Sequence, residues 1–128
     1  MAEYTKDTRF SWGWVMGGAV LIWVLQLLSI MVWGALGFGL IAAAVCGLGS
    51  YFVGGFVIGW KSEGRTILEA GIATLFVIFM ELGRMHAALA VLAPLLLALH
   101  FAIPFAAAVF GAWIGEMVQG DIIRTADD

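Results

Sequence analysis

The sequence predicts an all-α polytopic membrane protein, a four-transmembrane-helix bundle with a proline-interrupted last helix. Three observations lead there. Of 128 residues, 63% are hydrophobic and only 12% charged, with a mean hydropathy of +1.05. A soluble domain carries roughly twice that charged fraction, so too few polar side chains remain to cover a water-facing surface. The charges gather in the two tails and at two internal breaks, Lys61–Arg65 and Glu81–His86. Between them lie apolar runs of span length, since about 20 helical residues at 1.5 Å each cross a roughly 30 Å hydrocarbon core. Once the tails are set aside, the chain holds one membrane domain and has no room for a soluble one.

The polar N-terminal segment MAEYTKDTR precedes a first span at about 10–33. Its apolar run is too long for a cleaved signal region, and no small-residue cleavage site follows it. The span is therefore expected to stay uncleaved. Phe10, Trp12 and Trp14 at its start and Trp33 at its end are amphipathic rings of the kind that favour the headgroup level. The link Gly34–Gly39 carries no charge, so it is expected to be a tight hairpin that leaves few backbone amides unpaired in lipid. A second span at about 36–60 ends on Trp60, and the turn Lys61–Gly64 leads into a third at about 65–82. Residues 83–93 are expected to form a short interfacial helix or loop. Pro94 suits the first turn of a fourth span at about 94–118, where a missing N–H costs nothing. Pro104, inside that span, is expected to kink it, and the tail 119–128 is expected to fray.

Charge placement predicts orientation. Four spans put both termini and the 61–65 turn on one side, together with Lys6, Arg9, Lys61, Arg65 and Arg124, against Arg84 alone on the other. The positive-inside rule makes the richer side cytoplasmic. The formal net charge of −3 comes almost wholly from tails and turns, and no basic tract points to nucleic acid. The single Cys46 has no partner for an internal disulfide and reads as a small packing residue.

Small residues mark the faces where helices approach. Gly13 and Gly17, Gly55 and Gly59, and Gly111 and Gly115 are three Gly-x-x-x-Gly pairs, and Gly47 and Gly54 extend the second span's small face with Ala43 and Ser50. Such faces let backbones come close, which replaces the hydrophobic drive that lipid removes. They serve either packing within the bundle or contact with other chains. The 17 glycines exceed the evident internal need of so small a bundle, so a homo-oligomer or a larger membrane complex is expected.

Ionisable groups at membrane depth mark functional candidates. Glu69 follows Arg65 at i+4 on one face and is read first as an ion-paired group near the start of the third helix, second as a proton or cation site. Glu116 sits at similar depth, so Glu69, Arg65, Lys61 and Glu116 form one cluster if the third and fourth spans are neighbours. His100 shares a face with Pro104, Gly111 and Gly115, and Glu81 is its expected partner. Glu69 and Glu81 lie roughly 18 Å apart along a helix with only Thr74 polar between them, which argues against a relay. Gln26 and Ser29 are expected to hydrogen-bond between helices. Lys61 and Arg65, with the free N–H groups of the third helix's first turn, form a possible lipid-phosphate site.

No catalytic set is present. The two histidines and the cysteine lack metal-ligand spacing, and there is no Gly-x-Ser-x-Gly, phosphate loop or His-Glu-x-x-His. No cofactor is implied, and the chain is expected to be non-enzymatic. Around Gly54-Gly55-Phe56, Gly59 and Ser62-x-Gly64-Arg65-Thr66-Ile67 with Glu69, the sequence resembles uncharacterised small four-span bacterial inner-membrane proteins with a glycine-rich second span. The resemblance covers about a sixth of the chain and implies an inner-membrane location and no assigned chemistry. The leading expectation is an accessory or scaffold subunit. The alternative is a small oligomeric channel or a proton- or cation-coupled carrier using Glu69 and His100.

Overall fold

The computed structural model describes residues 10–62, 66–89 and 94–126. It is all-helical: α1 (Trp12–Leu36), α2 (Leu40–Lys61), α3 (Ile67–Leu89) and α4 (Pro94–Ala126). Three of these, α1, α2 and α4, are long and apolar enough to cross a membrane, as in a multi-pass membrane protein. The helices follow from the solvent rather than from side-chain propensity. Where no water can pair the backbone, each N–H must find a carbonyl within its own segment.

Two boundaries differ from the sequence reading. α3 runs past Leu82 to Leu89, so no loop begins at residue 83. Between Leu82 and Leu89 there is no proline, and the one poor helix former, Gly83, costs only about 1 kcal/mol. α4 is one helix from Pro94 to Ala126 with Pro104 inside it, and the tail expected to fray is helical through Ala126. Lys6, Arg9, Gly64 and Arg65 lie outside the described residues, as do the side chains of Arg84, His86 and Arg124.

The α1–α2 link is as tight as its lack of charge required. α1 ends at Leu36, Gly37 takes the left-handed conformation (φ 66°, ψ 20°), and α2 starts at Leu40. A β-carbon in that region costs about 1–2 kcal/mol. Gly37→Val is therefore expected to lower stability by about that amount, measured as thermal unfolding in detergent, while Gly34→Val, which has open space in front of it, leaves it nearly unchanged.

Around the bundle the neighbours run α1, α2, α4, α3, and α1 and α4 do not meet among the described residues. Sequential helices are antiparallel, so α2 and α4 run side by side in the same direction, as do α1 and α3. The α2–α4 interface is the most extensive. A β-carbon built on Gly55 or Gly59 would collide with the carbonyls of Ala108 or Ala112, and one on Gly111 or Gly115 with the carbonyls of Phe52 or Phe56. Each helix thus lays its own backbone into the other's glycine pair. The α1–α2 seam works differently: Ile58 fills the space over Gly18, and Ile22 the space over Gly54.

The core is small-chained because the helices are close. Val15, Ile22, Ala70, Ala73, Val77, Ala108 and Ala112 have no exposed surface. Outside, Ile41, Leu95 and Met31 are 82%, 71% and 69% exposed, in company with many other large apolar side chains. In water such a surface would aggregate; in lipid it is already solvated.

Candidate functional site

The polar side chains fall into two groups, one at each end of an apolar layer. The first lies at the Lys61 end. Glu69, in the first turn of α3, is 2% exposed, and its Oε1 accepts the Ser11 N–H at 3.1 Å. Ser11 is the N-cap residue of α1 and makes no capping bond with its own side chain. Because α1 and α3 start side by side, the carboxylate serves a neighbouring helix start. Glu116 does the same one interface away, its Oε1 accepting the Thr66 N–H at 2.6 Å just before α3. Both carboxylates meet helix ends that carry unpaired N–H groups and the positive end of the dipole.

Around them the polar atoms are tied up. The hydroxyls of Ser62 and Thr66 bond each other, Thr66 Oγ1 reaches the Ile58 carbonyl at 3.5 Å, and Gln119 Nε2 donates to the Ser62 carbonyl at 2.7 Å. These bonds pin the end of α2 to α3 and α4. Gln119 Oε1 is buried with no hydrogen-bond partner among the described residues.

This arrangement bears on two expectations. Glu69 and Glu116 take different helix starts, and the Lys61 ammonium lies 4.6 Å over the Trp60 ring. Arg65, the fourth member expected, is outside the described residues. The lipid-phosphate site also loses a donor, because the Thr66 N–H expected to be free is held by Glu116. A carboxylate from within the chain already occupies the anion position.

The second group surrounds a cavity of about 350 Å³ toward the Gly37 end. All four helices line it: Gln26, Ser29 and Trp33 from α1, Tyr51 from α2, Glu81 from α3, and His100 from α4 among others. The Tyr51 hydroxyl donates to Glu81 Oε2 at 3.2 Å. His100, the expected partner of Glu81, instead stands exposed with its ring edge-on to Phe101 at 6.4 Å. The two share the cavity without bonding each other. The Ser29 and Ser50 hydroxyls meet between α1 and α2 at 3.1 Å, and each lies within reach of a carbonyl one turn back in its own helix, Leu25 and Cys46, so one proton bridges the two hydroxyls while the other serine donates to its own helix.

Between the groups the interior is apolar and closely packed. Ala70, Ala73, Val77 and Ile78 are fully buried, and Thr74 bonds the Ala70 carbonyl at 3.0 Å, turned into its own helix. Glu69 and His100 therefore belong to separate sites. Among the described residues no set of His, Cys, Asp and Glu is placed to hold a metal ion.

The predicted packing glycines divide as well. Gly54, Gly55, Gly59, Gly111 and Gly115 meet other helices of the chain, whereas Gly17 and Gly47 have nothing within 4 Å and Gly13 only its neighbour Ser11. Tyr51 is the residue that sequence reasoning passed over. The available signal was a phenol in a glycine-rich span, which needs a polar partner at membrane depth. No protein-family model, curated protein or solved structure matches the chain.

Proposed function

We propose that the chain is a non-enzymatic, four-span membrane protein that acts as an accessory or scaffold subunit, in a homo-oligomer or a larger membrane complex. α3 is the fourth span, carrying its carboxylates inward where the other helices supply partners. Both termini and the Lys61 turn lie on the cytoplasmic side of an inner membrane, following the excess of basic residues there.

The observation that carries the reading is the uncovered α1–α2 seam. Two hollows of about 340 and 390 Å³ lie along it, the first lined by Gly13, Trp14, Gly17 and Leu21, the second by Leu25, Ser29, Gly49 and Val53 among others. Their α1 residues recur at helical spacing, so both hollows lie on one face. Gly17 and Gly49 open onto empty space there. A small-residue face that no described helix of the chain covers fits the close approach of another helix in lipid.

The separation of Glu69 from His100 by an apolar layer favours this reading over the carrier, since a relay needs polar groups or water along its length. The test uses Gly17→Leu with Gly49→Leu. Neither β-carbon meets anything among the described residues, so stability should move by less than about 0.5 kcal/mol. In mild detergent the wild type is expected to exceed one chain of 13.7 kDa by light scattering, and the double variant to fall to it. A wild type of one chain's mass, or a double variant that keeps the larger mass, overturns the proposal.

A further inference from the structure

We propose that the cavity at the Gly37 end is a binding site for a small organic cation, an ammonium head on a short apolar body, with Glu81 as its counter-charge. This goes beyond a packing role, which would need no cleft lined by converging polar groups. At about 350 Å³ the space lies at the small end of the range for ligand pockets. Its walls are mostly apolar, with Ile30, Leu48 and Pro104 among them, and the polar groups converge from four helices.

The chemistry of those groups selects the ligand. Glu81 is the only carboxylate on the cavity, and among the described residues its hydrogen-bond partner is the neutral Tyr51 hydroxyl, with no lysine or arginine paired to it. A carboxylate at membrane depth that no described lysine or arginine pairs is a candidate place for a cation to be received. Trp33 adds an aromatic ring to the lining, a group type that attracts cations, and Gln26 and Ser29 add side-chain oxygens able to accept hydrogen bonds. A bare metal ion fits poorly: one carboxylate and one imidazole fall short of the four to eight ligands such ions take. An anion would face Glu81. The rim residues Ile30, Leu48 and His100 are exposed, so the site is reached from outside the bundle without unpacking the apolar layer.

The test is calorimetric binding of 4-phenylbutylamine, 4-phenylbutanol and 4-phenylbutyrate to the full chain in one detergent. The three share a body and differ in charge. The amine is expected to bind about tenfold more tightly than the alcohol, the worth of one charge-assisted bond, and the butyrate not at all. Glu81→Gln should bring amine and alcohol to equal affinity, while Tyr51→Phe, which keeps the carboxylate, should retain the preference. Unchanged circular dichroism of both variants secures the comparison. Repeating the titration in nanodiscs of phosphatidylethanolamine and of phosphatidylglycerol separates two sources of the ammonium. Weaker amine binding in the first identifies the lipid headgroup as occupant; equal binding identifies a free amine. A wild type that binds the amine no better than the alcohol, or a folded Glu81→Gln that keeps the preference, overturns the proposal.

Discussion

Gly55→Leu, and equally Gly111→Leu, is expected to abolish the folded bundle. The opposing atoms are the backbone carbonyls of Ala108 and Phe52, and a carbonyl held in a helix cannot rotate away as a side chain can. Overpacking where neighbours yield costs about 1–3 kcal/mol. Here relief requires moving one whole helix off the other, so the cost should reach or exceed about 3 kcal/mol, a large fraction of the ~5–15 kcal/mol that holds a domain together. Even Gly55→Ala places its β-carbon against the same carbonyl and should be measurably destabilising. The comparison with Gly54→Ala is informative. There the obstacle is the Ile22 side chain, which can change rotamer, so the cost should be smaller. Thermal unfolding in detergent, followed by circular dichroism, reads all of these. A Gly55→Leu protein that melts with the wild type would mean that α2 and α4 do not interlock.

Glu69→Ala is the second large effect. The side chain is almost wholly buried and accepts the N–H that opens α1. Removing it strands a donor away from water, at a cost of about 1–3 kcal/mol, and removes a carboxylate from two helix starts at once, its own and that of α1. Glu69→Gln keeps an acceptor oxygen on the same stem and should lose much less. That ordering separates a structural carboxylate from a transporting one. A carrier would need the titratable group, so Gln would disable it as fully as Ala. Equal destabilisation by Ala and Gln, or none by Ala, would contradict the capping role.

The four helices were legible, three of them long and apolar enough to span a membrane, because apolar length, charged breaks and tryptophans at run ends mark helices without reference to their packing. The tight Gly37 turn was legible from its lack of charge. Helix ends past the membrane were less so. No proline lies between Leu82 and Leu89 or after Pro104, and polarity alone does not stop a helix, so α3 and α4 run on through residues read as loop or tail. Neighbour relations were the least legible. A soluble helix shows its buried face by hydrophobic periodicity, but α1 and α4 are apolar on nearly every side, so no stripe says which face meets which helix. Glycine pairs show where a backbone comes close, yet not whose. Gly55 and Gly111 turned out to face each other's helices, whereas Gly13 and Gly17 carry the same motif and face outward. The partners of Glu69 and Glu81 followed from that arrangement. Glu69 meets Ser11 because α1 and α3 begin side by side, and Glu81 meets Tyr51 where α2 and α3 approach.

The central claim is that the chain's glycines do two separable jobs, locking α2 to α4 and leaving the α1–α2 seam open to another helix. Unfolding temperature and detergent-solution mass, measured together on Gly17→Leu and Gly55→Leu, address it directly. Gly17→Leu should keep the wild-type unfolding temperature and lose the larger mass, while Gly55→Leu should lose both. If Gly17→Leu melts as low as Gly55→Leu, or if neither changes the mass, the two faces are not distinct and the account fails.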